Sequence, residues 1–298
     1  MKMYDVVYIG NYTKDTIIHP LTGTTYVDGG GAHYAAQAAA RLGFQVALVT
    51  RLAKADEYVV EKVQQSGVDC WVDYSASSTL MQLEYPTTNP DIRTLTVRAV
   101  ADPISVTSVD GIQAKSAVIG SSIRGEVGMD VIQALKQKRM MVAADMQGFV
   151  RVLRGQELKY EPWGEMRSIL AAVDVVKSDA VEAEFLTGET DIYQAARVYA
   201  SMGPKEIVLT HKDGVLFYAD GEFSEVGFYP IQLVGRSGRG DTCLGSYAAM
   251  RLSKPPFEAG IWAAAVTSLK MEKLGPFDRS MADVEALIKA RYDGRAAG

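Results

Sequence analysis

The segment best able to do chemistry is Gly235-Arg-Ser-Gly-Arg-Gly-Asp-Thr-Cys-Leu-Gly-Ser-Tyr-Ala-Ala249, a glycine-rich turn running into a small-residue helix. Gly238 and Gly240 let the backbone turn without a Cβ in the way, and the following helix offers unpaired N–H groups at its positive end. That arrangement holds an anion. Asp241 stands where the helix is expected to begin, and as an N-cap alone it is worth about 1 kcal/mol. Beside an anion hole the same carboxylate suits a larger task. An alcohol attacking a γ-phosphoryl group must lose its proton while donors aimed at the phosphoryl oxygens take up charge. General-base assistance contributes about 10²- to 10⁴-fold, far more than a cap. Two other anion motifs fail. Gly235 to Thr242 reads G-x-x-x-x-G-D-T, but a carboxylate at the lysine position of a Walker A loop repels phosphates. Gly29-Gly30-Gly31 contains G-x-G, yet Tyr34 occupies the place of the third glycine and no core-type strand precedes it, so no nicotinamide site is expected.

A sheet must hold that turn in place. Short β-branched runs recur at Asp5–Gly10, Val46–Thr50, Ala117–Ser121, Arg139–Asp145, Val173–Lys177 and Ile207–Thr210. Helical periodicity occupies Ala32–Leu42, Glu57–Ser66, Val127–Lys138, Ala180–Leu186, Ile192–Ser201 and Asp241–Leu252. The alternation predicts an α/β fold, with a mainly parallel sheet covered on both faces and ligands at the carboxyl ends of its strands. Two regions break the rhythm. Thr22–Asp28 and Val68–Ala99, the latter with Pro86, Thr88, Asn89 and Pro90 at its centre, alternate with period two, as antiparallel strands do. They read as one small sheet, inserted from about 16–29 and 68–100, which either projects as a lid or packs as a meander on the core edge. Residues 1–298 form a single domain in this reading, and the tail Tyr292–Gly298 is expected to fray.

With 31 Lys plus Arg against 36 Asp plus Glu, the net charge is −5, and no global field attracts a nucleic acid. The chain is 48% hydrophobic but has no apolar stretch of the roughly 18 residues that a membrane span needs. Met1 to Gly10 is strand-like rather than a signal peptide. Two cysteines, Cys70 and Cys243, are too few for a disulfide framework and lack metal spacing, so a cytoplasmic setting is expected.

The sequence resembles the ribokinase-like (pfkB) carbohydrate kinase family. Ser237-Gly-Arg-Gly-Asp-Thr-Cys243 is similar to the family's late T-G-A-G-D-[ST]-F motif, and Asp28-Gly-Gly-Gly-Ala-His-Tyr-Ala-Ala-Gln-Ala-Ala-Ala-Arg-Leu-Gly43 to its early G-G segment with an A-A-R-L-G ending. Gly10-Asn-Tyr-Thr-Lys-Asp15 follows the first strand, where members hold a substrate-binding aspartate, and Asp179-Ala-Val-Glu182 with its L-T-G ending resembles the N-x-x-E segment. The resemblance implies a Rossmann-like core with a β lid, ATP as the usual donor, and Mg²⁺. It makes Asp241 the base and the turn Gly238, Arg239 and Gly240 the anion hole. Glu182 and Asp179 would organise the metal; Asp15, Asn11, Gly29, Gly30 and Tyr34 would meet the substrate. Thr210, Lys212 and Gly214, in a loop one residue shorter than T-x-G-x-x-G, would join Asp179 and Gly240 at the nucleotide. A homodimer through the lid is one assembly the family allows.

Departures from the pattern refine the expectation. Arg239 replaces a small residue, and it either clamps a phosphate bidentately or points to solvent. Gly235 stands where an aspartate is common, which predicts no K⁺ dependence. Tyr34 replaces the asparagine that meets sugar hydroxyls in ribokinases, so ribose is disfavoured. With Gly10-Asn-Tyr and Asp145-Met-Gln-Gly-Phe-Val-Arg151, this looks like myo-inositol kinases. The expected function is ATP-dependent phosphorylation of a small sugar or cyclitol, myo-inositol first. A nucleoside kinase with Tyr34 stacked on a base, and a catalytically silent ligand sensor on the same fold, are the alternatives. His33, Cys243 and the alanine-rich stretch around Trp262 read as packing residues.

Overall fold

Val6, Val7, Tyr8 and Ile9 are all fully buried, so the strand holding them must be covered on both faces. The computed structural model, which describes residues 2–88 and 94–292, meets that requirement. Its strands are β1 (Met3–Ile9), β2 (Thr13–His19), β3 (Gly23–Gly29), β4 (Val46–Ala53), β5 (Val68–Ser75), β6 (Thr79–Glu84), β7 (Thr94–Ala99), β8 (Gln113–Ile119), β9 (Met141–Asp145), β10 (Arg151–Arg154), β11 (Glu157–Tyr160), β12 (Val175–Asp179), β13 (Glu206–Thr210), β14 (Gly214–Ala219) and β15 (Glu222–Gly227). The helices are α1 (Gly31–Arg41), α2 (Tyr58–Gln65), α3 (Met129–Gln137), α4 (Gln147–Val150), α5 (Met166–Ala172), α6 (Ala180–Thr187), α7 (Ile192–Ser201), α8 (Arg239–Met250), α9 (Pro256–Lys270) and α10 (Met281–Arg291).

The main sheet runs β15, β14, β13, β12, β9, β8, β1, β4, β5. From β5 across to β13 each neighbouring pair is parallel; the hairpin β14–β15, which the periodicity does not announce, closes the far edge. One apolar layer lies under α1, α8 and α9, the other under α3, α5 and α7. Small residues set the first layer's thickness: a Cβ on Gly245 of α8 would sit 2.6 Å from the Cβ of Ala35 on α1. Register matters for the site. Lys177 of β12 pairs with Asp145 of β9, and Asp179 with Thr210 of β13, so these four residues stand in neighbouring register at the carboxyl ends of their strands.

The second sheet, the candidate lid, has the order β10, β11, β7, β6, β2, β3 and a small apolar core of Met81, Leu83, Val97 and Ile123. Its boundaries differ from the expected 16–29 and 68–100. β5 belongs to the main sheet, as the edge strand beside β4. The lid begins earlier, at Thr13, and gains the hairpin β10–β11 from a third part of the chain. Asn89 and Pro90 of the expected turn, and 293–298 of the tail, lie outside the described residues. Tyr292 does not fray: it is 1% exposed and its hydroxyl donates to Gly227 O at 3.0 Å. No described helix is long and apolar enough to cross a membrane.

Candidate active site

A cavity of about 750 Å³ opens between the lid and the carboxyl ends of β12 and β13, with Ile17, His19 and Tyr85 on the lid side and Lys177, Asp179 and Asp241 on the other. Asp241 does not begin α8, as the sequence led us to expect. The cap is Gly238, in the left-handed region at φ 77°, and α8 starts at Arg239, which puts Asp241 third, within the first turn. Among the described residues no acceptor meets the N–H groups of Gly238 and Gly240, so both remain free to receive an anion.

Close packing fixes the carboxylate. A Cβ on Gly31 would lie 2.6 Å from Asp241 Oδ1, so α1 presents bare backbone there. Burial raises the Asp241 pKa, and the positive charges of Lys177, Arg151 and Lys270 oppose that rise. A carboxyl with a raised pKa is a better proton acceptor than a surface aspartate.

Lys177 is the main residue that the sequence reading missed. It is 3% exposed, and its Nζ lies 2.9 Å and 3.2 Å from the two oxygens of Asp145. Burial alone would lower its pKa, but Asp145, Glu182, Asp179 and Asp241 together hold it above the usual range, so the ammonium stays charged. A Cβ on Gly240 would come 2.5 Å from this nitrogen, which explains why the turn needs glycine here. Arg151, quoted in the D-x-Q-G-x-x-R segment but given no role, also lines the cavity, as do Lys212, Arg236 and Arg239. The Arg239 guanidinium lies 6.0 Å from the Phe228 ring centroid.

The predicted metal residues separate. Asp179 lines the cavity, whereas Glu182 is 1% exposed and engaged three residues into a capping box: it accepts from Asp179 N at 3.0 Å, and its own N–H donates to Asp179 Oδ1 at 2.8 Å. Its other oxygen faces Arg151 at 3.3 Å. No group of three His, Cys, Asp or Glu side chains suited to a metal occurs among the described residues. The donor set fits a Mg²⁺ that keeps water and shares phosphate oxygens, with Asp179 as its carboxylate, and does not fit an all-protein cage.

The predicted acceptor residues sit deeper. Asp15 packs against Gly29, where a Cβ would meet its Oδ2 at 2.7 Å, while its buried Oδ1 has no hydrogen-bond partner. Burial, with Asp241 and Asp28 adding negative charge nearby, pushes the Asp15 pKa up to about 6. Asn11 donates to the scaffold, its N–H to Glu126 Oε1 at 2.6 Å and its side-chain amide to Asp102 O at 3.0 Å, while its buried Oδ1 has no partner. Gly30, at φ 110°, lies over the Asn11 carbonyl. Tyr34 is 4% exposed and lies beneath Gly238, where a Cβ would run into its ring, so it supports the turn and is not a wall for substrate. Thr210 and Lys212 line the cavity. Gly214 instead closes the β13–β14 turn, its carbonyl accepting from His211 N at 2.9 Å. His33 and Cys243 are buried as expected; burial takes the imidazole down to about 4 and the thiol up to about 12.

Comparison with known proteins fits this geometry. The model of the pfkB family of carbohydrate kinases matches residues 3–280. A cytidine kinase from Thermococcus kodakarensis is 28% identical over 259 residues, covering 83% of this chain and 88% of the relative. Among solved structures, a sulfate complex of a pyrophosphate-dependent kinase in the ribokinase family superposes with a TM-score of 0.87 at 32% identity, covering 94% of this chain and 99% of that one. A pyrophosphate-dependent myo-inositol-1 kinase converted into a myo-inositol-3 kinase gives 0.86 at 31%, covering 96% and 99%. Arabidopsis thaliana ribokinase, with ribose and ATP, shares the fold at 0.75 and 19%, covering 97% and 99%.

Proposed function

The chain belongs to the pfkB family of carbohydrate kinases, and from that premise we propose that it phosphorylates a hydroxyl of a cyclitol, myo-inositol first, with pyrophosphate as the preferred donor. Asp241 takes the proton of the attacking hydroxyl. The N–H groups of Gly238 and Gly240, with Lys177 and Arg239, take up the charge on the transferring group. Asp15 offers the acceptor an oxygen that has no partner within the protein. A Mg²⁺ on Asp179 would neutralise part of the donor's charge. Closure of the lid over the cavity keeps water from the phosphoryl group.

The observation that carries this reading is the convergence of Arg151, Lys177, Lys212, Arg236 and Arg239 with Asp241 on one cavity. Pyrophosphate is compact and multiply charged, and it needs cations and main-chain donors but no stacking wall. The tight turn at 211–213 supports that choice, as do the pyrophosphate-dependent relatives at 31–32% identity. ATP is the second donor, because Leu233, Val234 and Leu274 leave an exposed apolar rim that an adenine ring could cover. A nucleoside is the second acceptor, on the strength of the cytidine kinase relative; Tyr34, lodged under Gly238, is not available to stack on its base.

The test crosses pyrophosphate and ATP with a panel of cyclitols, hexoses, pentoses and nucleosides, reading phosphorylated product. Turnover of myo-inositol with pyrophosphate is the expected result. Turnover confined to nucleosides or to ATP overturns the corresponding half of the proposal, and donor binding without turnover on any acceptor favours a ligand sensor. We also propose a cytoplasmic homodimer through the free edge of β3; sedimentation as a monomer at micromolar concentration rejects it.

A further inference from the structure

Behind the anion-hole turn lies a charge to which the proposed chemistry gives no task. Lys270, the last residue of α9, is 2% exposed; its Nζ donates to the Ser237 carbonyl and sits 5.4 Å from the centroid of the Tyr34 ring. A buried ammonium with so few partners is an expensive residue to keep. The titratable groups facing it are the Asp241 carboxyl from α8 and the Tyr34 phenol from α1. Burial brings the amine down to about 8, against the attraction of Asp241, and burial pushes the phenol further up, so the phenol stays neutral.

The described chain contains no cis peptide bond. The Ser237 C=O and the Gly238 N–H therefore share one trans plane and point in opposite directions. Lys270 holds the carbonyl from the core side, and Gly238 lines the cavity on the other. Tyr34 fills the space beside the Gly238 Cα and blocks the peptide from swinging back.

We infer that Lys270 is a positioning residue for phosphoryl transfer: by anchoring the Ser237 carbonyl it aims the Gly238 N–H at the donor phosphate, and its charge polarises that peptide into a stronger donor. The inference rests on reading Gly238–Gly240 as the anion hole. Outright loss of one oxyanion donor costs about 10²- to 10³-fold in rate, so a misaimed one costs less. Lys270→Met is expected to lower kcat/KM for the donor roughly 10- to 100-fold while the acceptor KM stays within about twofold.

In the wild type, kcat/KM falls as the amine loses its proton above about pH 8. That limb disappears in Lys270→Met, and Lys270→Arg, which keeps a charge, recovers part of the rate. Cooperative thermal unfolding checks that each variant is folded. A wild-type rate in folded Lys270→Met overturns the inference, and so does a folded Lys270→Arg that recovers none of the rate lost in Lys270→Met. Asp241→Asn, assayed in parallel, separates the two readings. Full activity there defeats the base assignment, whereas an inactive Asp241→Asn beside a fully active Lys270→Met defeats only the role of Lys270.

Discussion

The wall of the cleft that carries Lys177, Asp179 and Asp241 grows from a sheet strand and a helix start that are packed into two thick apolar layers. The facing wall rests on a sheet whose apolar core is Met81, Leu83, Val97 and Ile123. Charge is therefore concentrated where the scaffold is stiff, and the lightly packed side is left to adapt. A buried ammonium or carboxylate is useful only if its neighbours cannot drift, since a shift of about 1 Å can cost a hundredfold in rate. A lid with little buried apolar area opens at lower free energy than the core unfolds, which suits an element that must admit an acceptor and then exclude water.

The largest expected effect tests the stiff wall directly. Asp241→Asn should lower kcat by about 10²- to 10⁴-fold with the melting temperature held or raised, because the variant relieves a buried carboxyl. Activity within tenfold of wild type would remove this side chain from the chemistry. Next comes Lys177→Met, which strands Asp145 at 1% exposure and should destabilise the fold by about 3–5 kcal/mol in urea titrations. Changing Asp145→Met as well should restore most of the stability and none of the activity. If the double variant is as unstable as the single one, the ion pair is not what keeps that wall in place.

Asp15, on β2 of the second sheet, should make stability depend on pH. Its pKa of about 6 lies above the unfolded value, so between about pH 4 and pH 6 the folded chain holds a proton the unfolded chain has lost. Stability falls as pH rises through that window, by up to about 3 kcal/mol. Asp15→Asn should flatten the slope, be the more stable form at neutral pH, and bind the acceptor poorly; an unchanged slope would show that the carboxyl is not buried in solution. The smallest effect belongs to the lid surface. Arg154 pairs with both oxygens of Glu161 at 2.6 Å, yet both side chains are solvated, so Arg154→Ala should leave turnover and melting temperature unchanged. A clear loss would mean the lid depends on its rim rather than on its apolar centre.

The turn at Gly238 to Asp241 was legible because glycine spacing and a following helix state a backbone geometry, and the parallel strands were legible because both their faces are apolar. β5 was misread for a related reason. As an edge strand of the parallel sheet it has one wet face, and Val-Asp-Cys-Trp-Val-Asp-Tyr-Ser alternates just as a lid strand would. The hairpin β10–β11 offers only four residues per strand, too few to show a period. Tyr34 could be placed on a helix from sequence, but whether that face meets substrate or the underside of another loop is decided by α8, more than 200 residues later. Lys177 was passed over because a lysine at the end of an apolar run reads as its wet terminus; the partner that buries it is on a different strand.

The lid also constrains how the protein is made. Its strands come from three separate stretches, 13–29, 79–99 and 151–160, and β2 pairs in parallel with β6, a contact no local turn can nucleate. A ribosome must therefore release more than half of the polypeptide before the last of these strands can join. Until then the early lid strands emerge with open edges, exposed to neighbouring nascent chains, and this interval of synthesis is the one in which a chaperone would matter most.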